Sequence, residues 1–206
     1  GSVQLDSCNV PGNVARSSNV ARSWYQGGGL SISGSGTSVV LMSCNLFNNE
    51  IHVPSYWAAG GIFVSDGQVI LVNCNIYSNS PGTSSHEDGG GVSIYDGSVH
   101  FESCNVYDNV AYSAAGIQVL GDSTIVLNNS QIYNNAAGHR GGGLYVSNRA
   151  VVLGNCSIFG NSARHGGGII IDNGVLTVAA CSIQENTATG YGAGRCSSTY
   201  VASPPG

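Results

Sequence analysis

The sequence predicts an all-β chain wound as a right-handed single-stranded parallel β-helix, a solenoid of about six to seven coils of 25–36 residues. Three observations carry this. A cysteine recurs at Cys8, Cys44, Cys74, Cys104, Cys156 and Cys181, with Ser130 in the one gap, at spacings of 36, 30, 30, 26, 26 and 25 residues. Five residues after every anchor stands an asparagine: Asn13, Asn49, Asn79, Asn109, Asn135, Asn161 and Asn186. Around each anchor the apolar residues alternate with polar ones, which is the period of a strand and not the 3.6-residue period of a helix.

The elements follow in chain order. Five and three residues before the anchors lie Val3/Leu5, Val39/Leu41, Val69/Leu71, Val99/Phe101, Ile125/Leu127, Val151/Leu153 and Leu176/Val178. Two residues after them lie Val10, Leu46, Ile76, Val106, Ile132, Ile158 and Ile183. A third strand opens after a glycine cluster, as in Gly28-Gly29-Leu30-Ser31-Ile32, Gly60-Gly61-Ile62-Phe63-Val64 and Gly142-Gly143-Leu144-Tyr145-Val146. Turns such as Asp66-Gly67, Asp96-Gly97 and Asn173-Gly174 separate the pieces. Three strands in so short a repeat are too few for a propeller blade, which needs four. One such coil cannot bury its inward face alone, whereas stacked coils share a continuous core. Six inward apolar or thiol positions per coil, at about 1.5–3 kcal/mol for each large side chain, offset the entropy of ordering. The asparagine column belongs at a bend, because asparagine tolerates left-handed backbone. Its amides can also bond along a stack of identical neighbours. Residues 1–194 hold the repeats and 195–206 form a tail, with Cys196 outside the register.

Composition narrows the class. Charged residues are 8% of the chain, lysine is absent, and the net charge is -5. That balance disfavours nucleic acid, whose phosphates demand clustered basic residues. The 42% hydrophobic content opposes disorder, and no apolar run reaches the about 18 residues of a membrane span. The opening Gly1-Ser2-Val3 has neither initiator Met nor signal-like run, so it reads as a mature product or a fragment.

The pairing of Gly-Gly-[Ile/Leu/Val] with [Ile/Leu/Val]-x-x-Asn, as in Leu46-Phe47-Asn48-Asn49, Ile76-Tyr77-Ser78-Asn79 and Ile158-Phe159-Gly160-Asn161, resembles the repeat of chlamydial polymorphic outer membrane proteins. The likeness runs from about residue 3 to 194, with Ile, Leu or Val mostly replacing the family's Phe. It implies a surface-displayed rod with an adhesive or structural role, and hence an extracellular or cell-surface location.

Several groups are candidates for chemistry. The cysteine column reads as buried thiols, since free Cys behaves as a small hydrophobe. The alternative pairs Cys8 with Cys44, Cys74 with Cys104 and Cys156 with Cys181. No Cys/His spacing suits a metal, and no cofactor motif occurs. Asp66 and Asp96 share one turn column, where Asp-Gly is ordinary turn chemistry. His139 and His165, beside Arg140 and Arg164, can form a small cationic, pH-sensitive patch, and His100 stands on an outward strand position. The long loops Val14 to Gln26, Glu50 to Ala59 and Ser80 to Asp88 exceed what the core requires, and such loops carry function. Trp24, Tyr25, Tyr56, Trp57, His86 and Tyr112 lie in or beside them and can form an aromatic platform for a glycan or protein; the same rings can instead serve as local core. Phe47, Tyr77, Tyr107, Tyr133 and Phe159 form an outward stripe that stabilises the sheet. Of two glycosylation sequons, that of Asn128 is expected to face outward, ahead of that of Asn155.

These readings favour a non-enzymatic β-helix of structural or adhesive role. The alternative is a carbohydrate-binding or polysaccharide-cleaving module, which would place acids on one face of consecutive coils. The repeat is in register from Val3, so the open strand edge there is expected to be covered by missing sequence, a protein partner or a neighbouring subunit.

Overall fold

The computed structural model describes residues 1–16, 25–52, 57–82, 89–147, 150–190, 192 and 196–197. Among these, every strand pairing is parallel and no helix occurs. The chain is a parallel β-solenoid of about five turns, slightly fewer than expected. Seven rungs are present on its short face, but the first and last have a neighbour on one side only.

Each turn wraps two sheets around the core. The long face contains Leu30–Met42, Ile62–Val72, Val92–Glu102 and Ile117–Asn128. Here two of the expected strands are fused. The Asp-Gly pair does not separate them but bends one continuous strand, with Asp66 and Asp96 at φ 58 and 59. In later coils the same bend does divide them, giving Ile169–Asp172 and Val175–Ala179. The short face consists of three-residue strands such as Asn45–Phe47, Asn75–Tyr77 and Asn105–Tyr107.

The repeat columns become ladders in the expected register. Val39, Val69, Val99 and Ile125 pair in succession, as do Leu46, Ile76, Val106 and Ile132. All six inward positions of a middle coil (Ile62, Val64, Val69, Leu71, Cys74 and Ile76) are buried. At the ends the same columns open, so that Val3 and Ile183 are exposed.

Left-handed residues bracket the short face on both sides. One column precedes the anchor, with Ser43, Asn73, Ser103 and Asn129 at φ 51–54; the other follows four residues after it, with Asn48, Ser78, Asp108 and Asn134 at φ 53–54. This corrects the expected placement of the asparagine column, because the bend residue lies one position earlier. Asn49, Asn79, Asn109, Asn135 and Asn161 instead turn inward and are buried.

Their role as a ladder holds. Asn79 donates from Nδ2 to Asn109 Oδ1 at 3.0 Å, and its main-chain N–H meets the same oxygen at 3.0 Å. Its second amide hydrogen reaches the Leu46 carbonyl at 3.0 Å. The chain of contacts runs unbroken from Asn13 to Asn186. Each interior amide therefore uses both donors and both acceptor sites.

This ladder explains why the two sequence motifs travel together. The second glycine of each cluster lies under the asparagine amide of the same turn. A Cβ on Gly91 would stand 2.9 Å from Asn109 Nδ2 and 2.7 Å from the Gly116 carbonyl. Gly61 with Asn79 and Gly143 with Asn161 repeat the contact at 3.1 Å each. Glycine and asparagine are two halves of one corner.

Beyond that corner the chain runs out and returns. Val110–Ala111, Ala136–Ala137, Ser162–Ala163 and Thr187–Ala188 form a four-stranded corner sheet, with Ala111, Ala115, Ala137 and Ala163 as a separate small core. The returning segments lie over the outer side of the strand that follows the glycines. Phe63, Ser93, Gln118 and Tyr145 point away from the lumen, yet they are buried. The Ser93 hydroxyl donates to Gln118 Oε1 at 2.8 Å beneath this cover.

Candidate functional site

Three of the six residues of the expected platform, Tyr25, Trp57 and Tyr112, lie among the described residues. Trp24, Tyr56 and His86 lie outside the described residues, as do Glu87 and Asp88. Tyr25 and Trp57 stand opposite one another in a short parallel ladder, Tyr25–Gly27 against Trp57–Ala59. Tyr112 belongs to a different column, on the corner sheet, and is exposed. Its ring stacks on His139 at 5.5 Å, and His139 meets His165 edge-on at 5.4 Å. This three-ring column runs along the solenoid axis. Arg140 does not add its charge to the two histidines, since its guanidinium is 3.3 Å from the Asp172 carboxylate. The Tyr145 hydroxyl donates to the same carboxylate at 3.2 Å. Beside this column is a shallow groove of about 270 Å³ lined by Ala137, Gly138, Ser162, Ala163, Arg164, Thr187 and Thr189.

The long-face bend carries the acids. Asp122 extends the Asp66–Asp96 column by one coil, and its main-chain N–H donates to Asp96 Oδ1. A second groove, of about 360 Å³, opens there, lined by Asp122, Ser123, Thr124, Ala150, Asn173, Gly174 and Val175. Among the described residues no three His, Cys, Asp or Glu side chains converge as a metal site would require.

The described thiols are free. Those of Cys44, Cys74, Cys104 and Cys156 donate to carbonyls two residues back at 3.2–3.4 Å. Ser130 fits the gap in the column because its hydroxyl does the same to the Asn128 carbonyl at 2.7 Å. Burial pushes the Cys44 and Cys156 thiols up from their ordinary value. Cys104 is raised further, because its proton is shared with the Cys74 sulfur and because burial disfavours the thiolate. The same contact lowers Cys74 to about 7, so these two titrate as a pair, while Cys44 and Cys156 are protonated packing groups. Cys196 lies outside the cysteine column, opposite Ile171 on the long face.

The aromatic stripe is present on the outer side of the short face. Phe47, Tyr77, Tyr107, Tyr133 and Phe159 stack at 4.8–5.0 Å with interplanar angles of 1–6°. The ring faces cover one another and only edges and hydroxyls look outward, which suits cohesion between rungs and not the stacking of a sugar. Beside it runs a second amide ladder that the sequence reading missed. Asn105 donates to Asn75, Asn75 to Asn45 and Asn45 to Asn9, each at 2.9 Å. Its signal was the Cys-Asn dipeptide of the first four rungs. Of the two sequon asparagines, Asn128 lies in the outward column of Glu102. Asn128 is half-buried, and its Oδ1 lies where a Cβ on Gly154 would stand 2.8 Å away. Asn155 is exposed, with Nδ2 bonded to Asn129 Oδ1 at 2.6 Å.

No family model matches the chain, and no curated protein or solved structure matches it either.

Proposed function

We propose that this chain is a non-enzymatic β-helix of extracellular or cell-surface location, with a structural or adhesive role in an assembly. The observation that carries this reading is where the repeated polar groups are used. The asparagine amides and the aromatic stripe meet their counterparts on neighbouring coils, and the thiols donate to main-chain carbonyls there. They hold a rod together and leave little reactive chemistry outside it. The resemblance of the paired glycine and asparagine motifs to a surface-displayed repeat family supports the location.

Beads coated with the full chain test the reading. They should adhere to cells or to a matrix surface, and the free chain should compete for the same sites. Beads that bind no surface, together with turnover of a polysaccharide by the free chain, would overturn it. The second reading, a carbohydrate-binding or polysaccharide-cleaving module, draws on the Asp66, Asp96 and Asp122 column. It requires activity on, or binding of, an anionic polysaccharide that is lost in Asp66→Ala or Asp96→Ala.

A further inference from the structure

On the long face between the bend and the cysteine column, the middle outward column is largely apolar, where the outside of a solenoid should be polar. One outward column reads Gln4, Val40, Ile70, His100, Val126, Val152 and Thr177 across the seven rungs. Ile70 is 43% exposed and Val152 39% exposed, while Val40 and Val126 are half-exposed. Met42 and Val72 extend the apolar surface in the next outward column. Contiguous apolar area of this kind marks an interaction site, unlike scattered single residues.

The order of residues identifies the occupant. His100 stands on the fourth of seven rungs, with two apolar rungs before it and two after. A twofold axis lying in the interface along that rung brings Val40 of one copy against Val152 of the other, and Ile70 against Val126. This column is therefore complementary to itself, which an isologous dimer demands. The His100–Glu102 pair, 3.5 Å apart, falls on the axis, where each residue faces its own counterpart. Seven rungs at about 4.8 Å and three outward columns give a patch of about 29 by 18 Å. Two such patches bury about 1,000 Å², the size a specific interface needs.

We infer that two copies of this chain pair side by side, long face to long face, with their solenoid axes antiparallel. Flat faces of this kind pack about 10 Å apart, with β-branched rows interdigitated. This pairing does not depend on where the protein resides or what it binds.

Light scattering coupled to size exclusion, run over a hundredfold concentration range, tests it on the full chain. A dimer is expected for the native sequence. Ile70→Lys and Val126→Glu should each give monomers with unchanged circular dichroism and melting temperature. The double variant should recover the dimer, because the introduced lysine of one copy then meets the introduced glutamate of the other, while within one chain the two are two rungs apart. Three results would overturn the pairing: a native monomer at every concentration, association untouched by Ile70→Lys, or a double variant no more dimeric than either single one.

Discussion

The inner asparagine is the residue with most to lose. Asn109→Ala strands the Asn79 main-chain N–H, one Asn79 amide hydrogen and the Ile76 carbonyl. At about 1–3 kcal/mol for each buried group left unpaired, the loss amounts to several kcal/mol. A chemical melt showing under about 1 kcal/mol would refute this account of the ladder. Gly91→Ala should destabilise as well. In a double-mutant cycle with Asn109→Ala the two losses should add to less than their sum, since the truncated amide no longer meets the new methyl. Full additivity would separate the two halves of the corner. The thiols predict a pH dependence. The folded pKa values of Cys44 and Cys156 lie above those of the unfolded chain. The unfolded chain then binds fewer protons once the pH passes its own thiol pKa of about 8.5, and stability falls from there upward. Melting temperature should be level across neutral pH and decline above it. Native Cys44, Cys104 and Cys156 should also resist an aromatic disulfide reagent until the chain unfolds.

At the scale of the element, the short face is held by ring pairs outside as well as by packing inside. Tyr107 touches Tyr77 and Tyr133, both at 4.8 Å. Tyr107→Ala should cost about 1–2 kcal/mol, from two half-exposed pairs of about 0.5–1 kcal/mol each. Tyr107→Phe, which keeps the stack, should be close to neutral; equal losses would point to the hydroxyl instead. The inward columns of this face were legible in the sequence because burial fixes both residue class and spacing in every rung. The bend column was not. Its residues are Gly12, Asn48, Ser78, Asp108, Asn134, Gly160 and Glu185, a mixture without the constancy that marked the asparagines. Constancy there reflects side-chain bonding, not backbone conformation. The fused strand escaped notice for the opposite reason, since Asp-Gly is turn chemistry whether or not pairing continues past it. Phe63, Ser93, Gln118 and Tyr145 share no residue class, so nothing local announced that a returning segment buries them. The apolar long face went unremarked because each of its members is ordinary in a strand; only register aligns them.

The whole molecule is a one-dimensional stack, and its stability should vary along its length. Middle rungs are bonded on both sides, whereas Ser182–Gln184 is exposed throughout. Amide hydrogen exchange should therefore be slowest in Ile76, Val106 and Ile132 and fastest in the first and last rungs. The same gradient should appear in mutants. Asn13→Ala, at an exposed end, should cost under about 1 kcal/mol, well below Asn109→Ala. Uniform exchange, or equal losses at both positions, would mean that the coils unfold as a single unit. The candidate site was legible only as a place. Sequence spacing located the loops that leave the corner, but which rings meet depends on how far each loop returns. Tyr112 consequently joins His139, while the main chain of Tyr25 pairs with that of Trp57 on another strand.

The two amide ladders donate in opposite directions. The inner one passes its hydrogens from Asn13 toward Asn186, and the outer one from Asn105 back toward Asn9. Parallel strands cancel most of their own axial dipoles, so these side chains add an axial moment of their own. The inner column spans every rung; the outer one covers the first four, and Asn155 to Asn129 to Glu102 carries the outer sense over the next two, so the inner moment stands unopposed only toward Asn186. The molecule is thus a partial electret, with its positive pole at the Asn186 end, and an added carboxylate there should stabilise it more than the same charge beside Asn13.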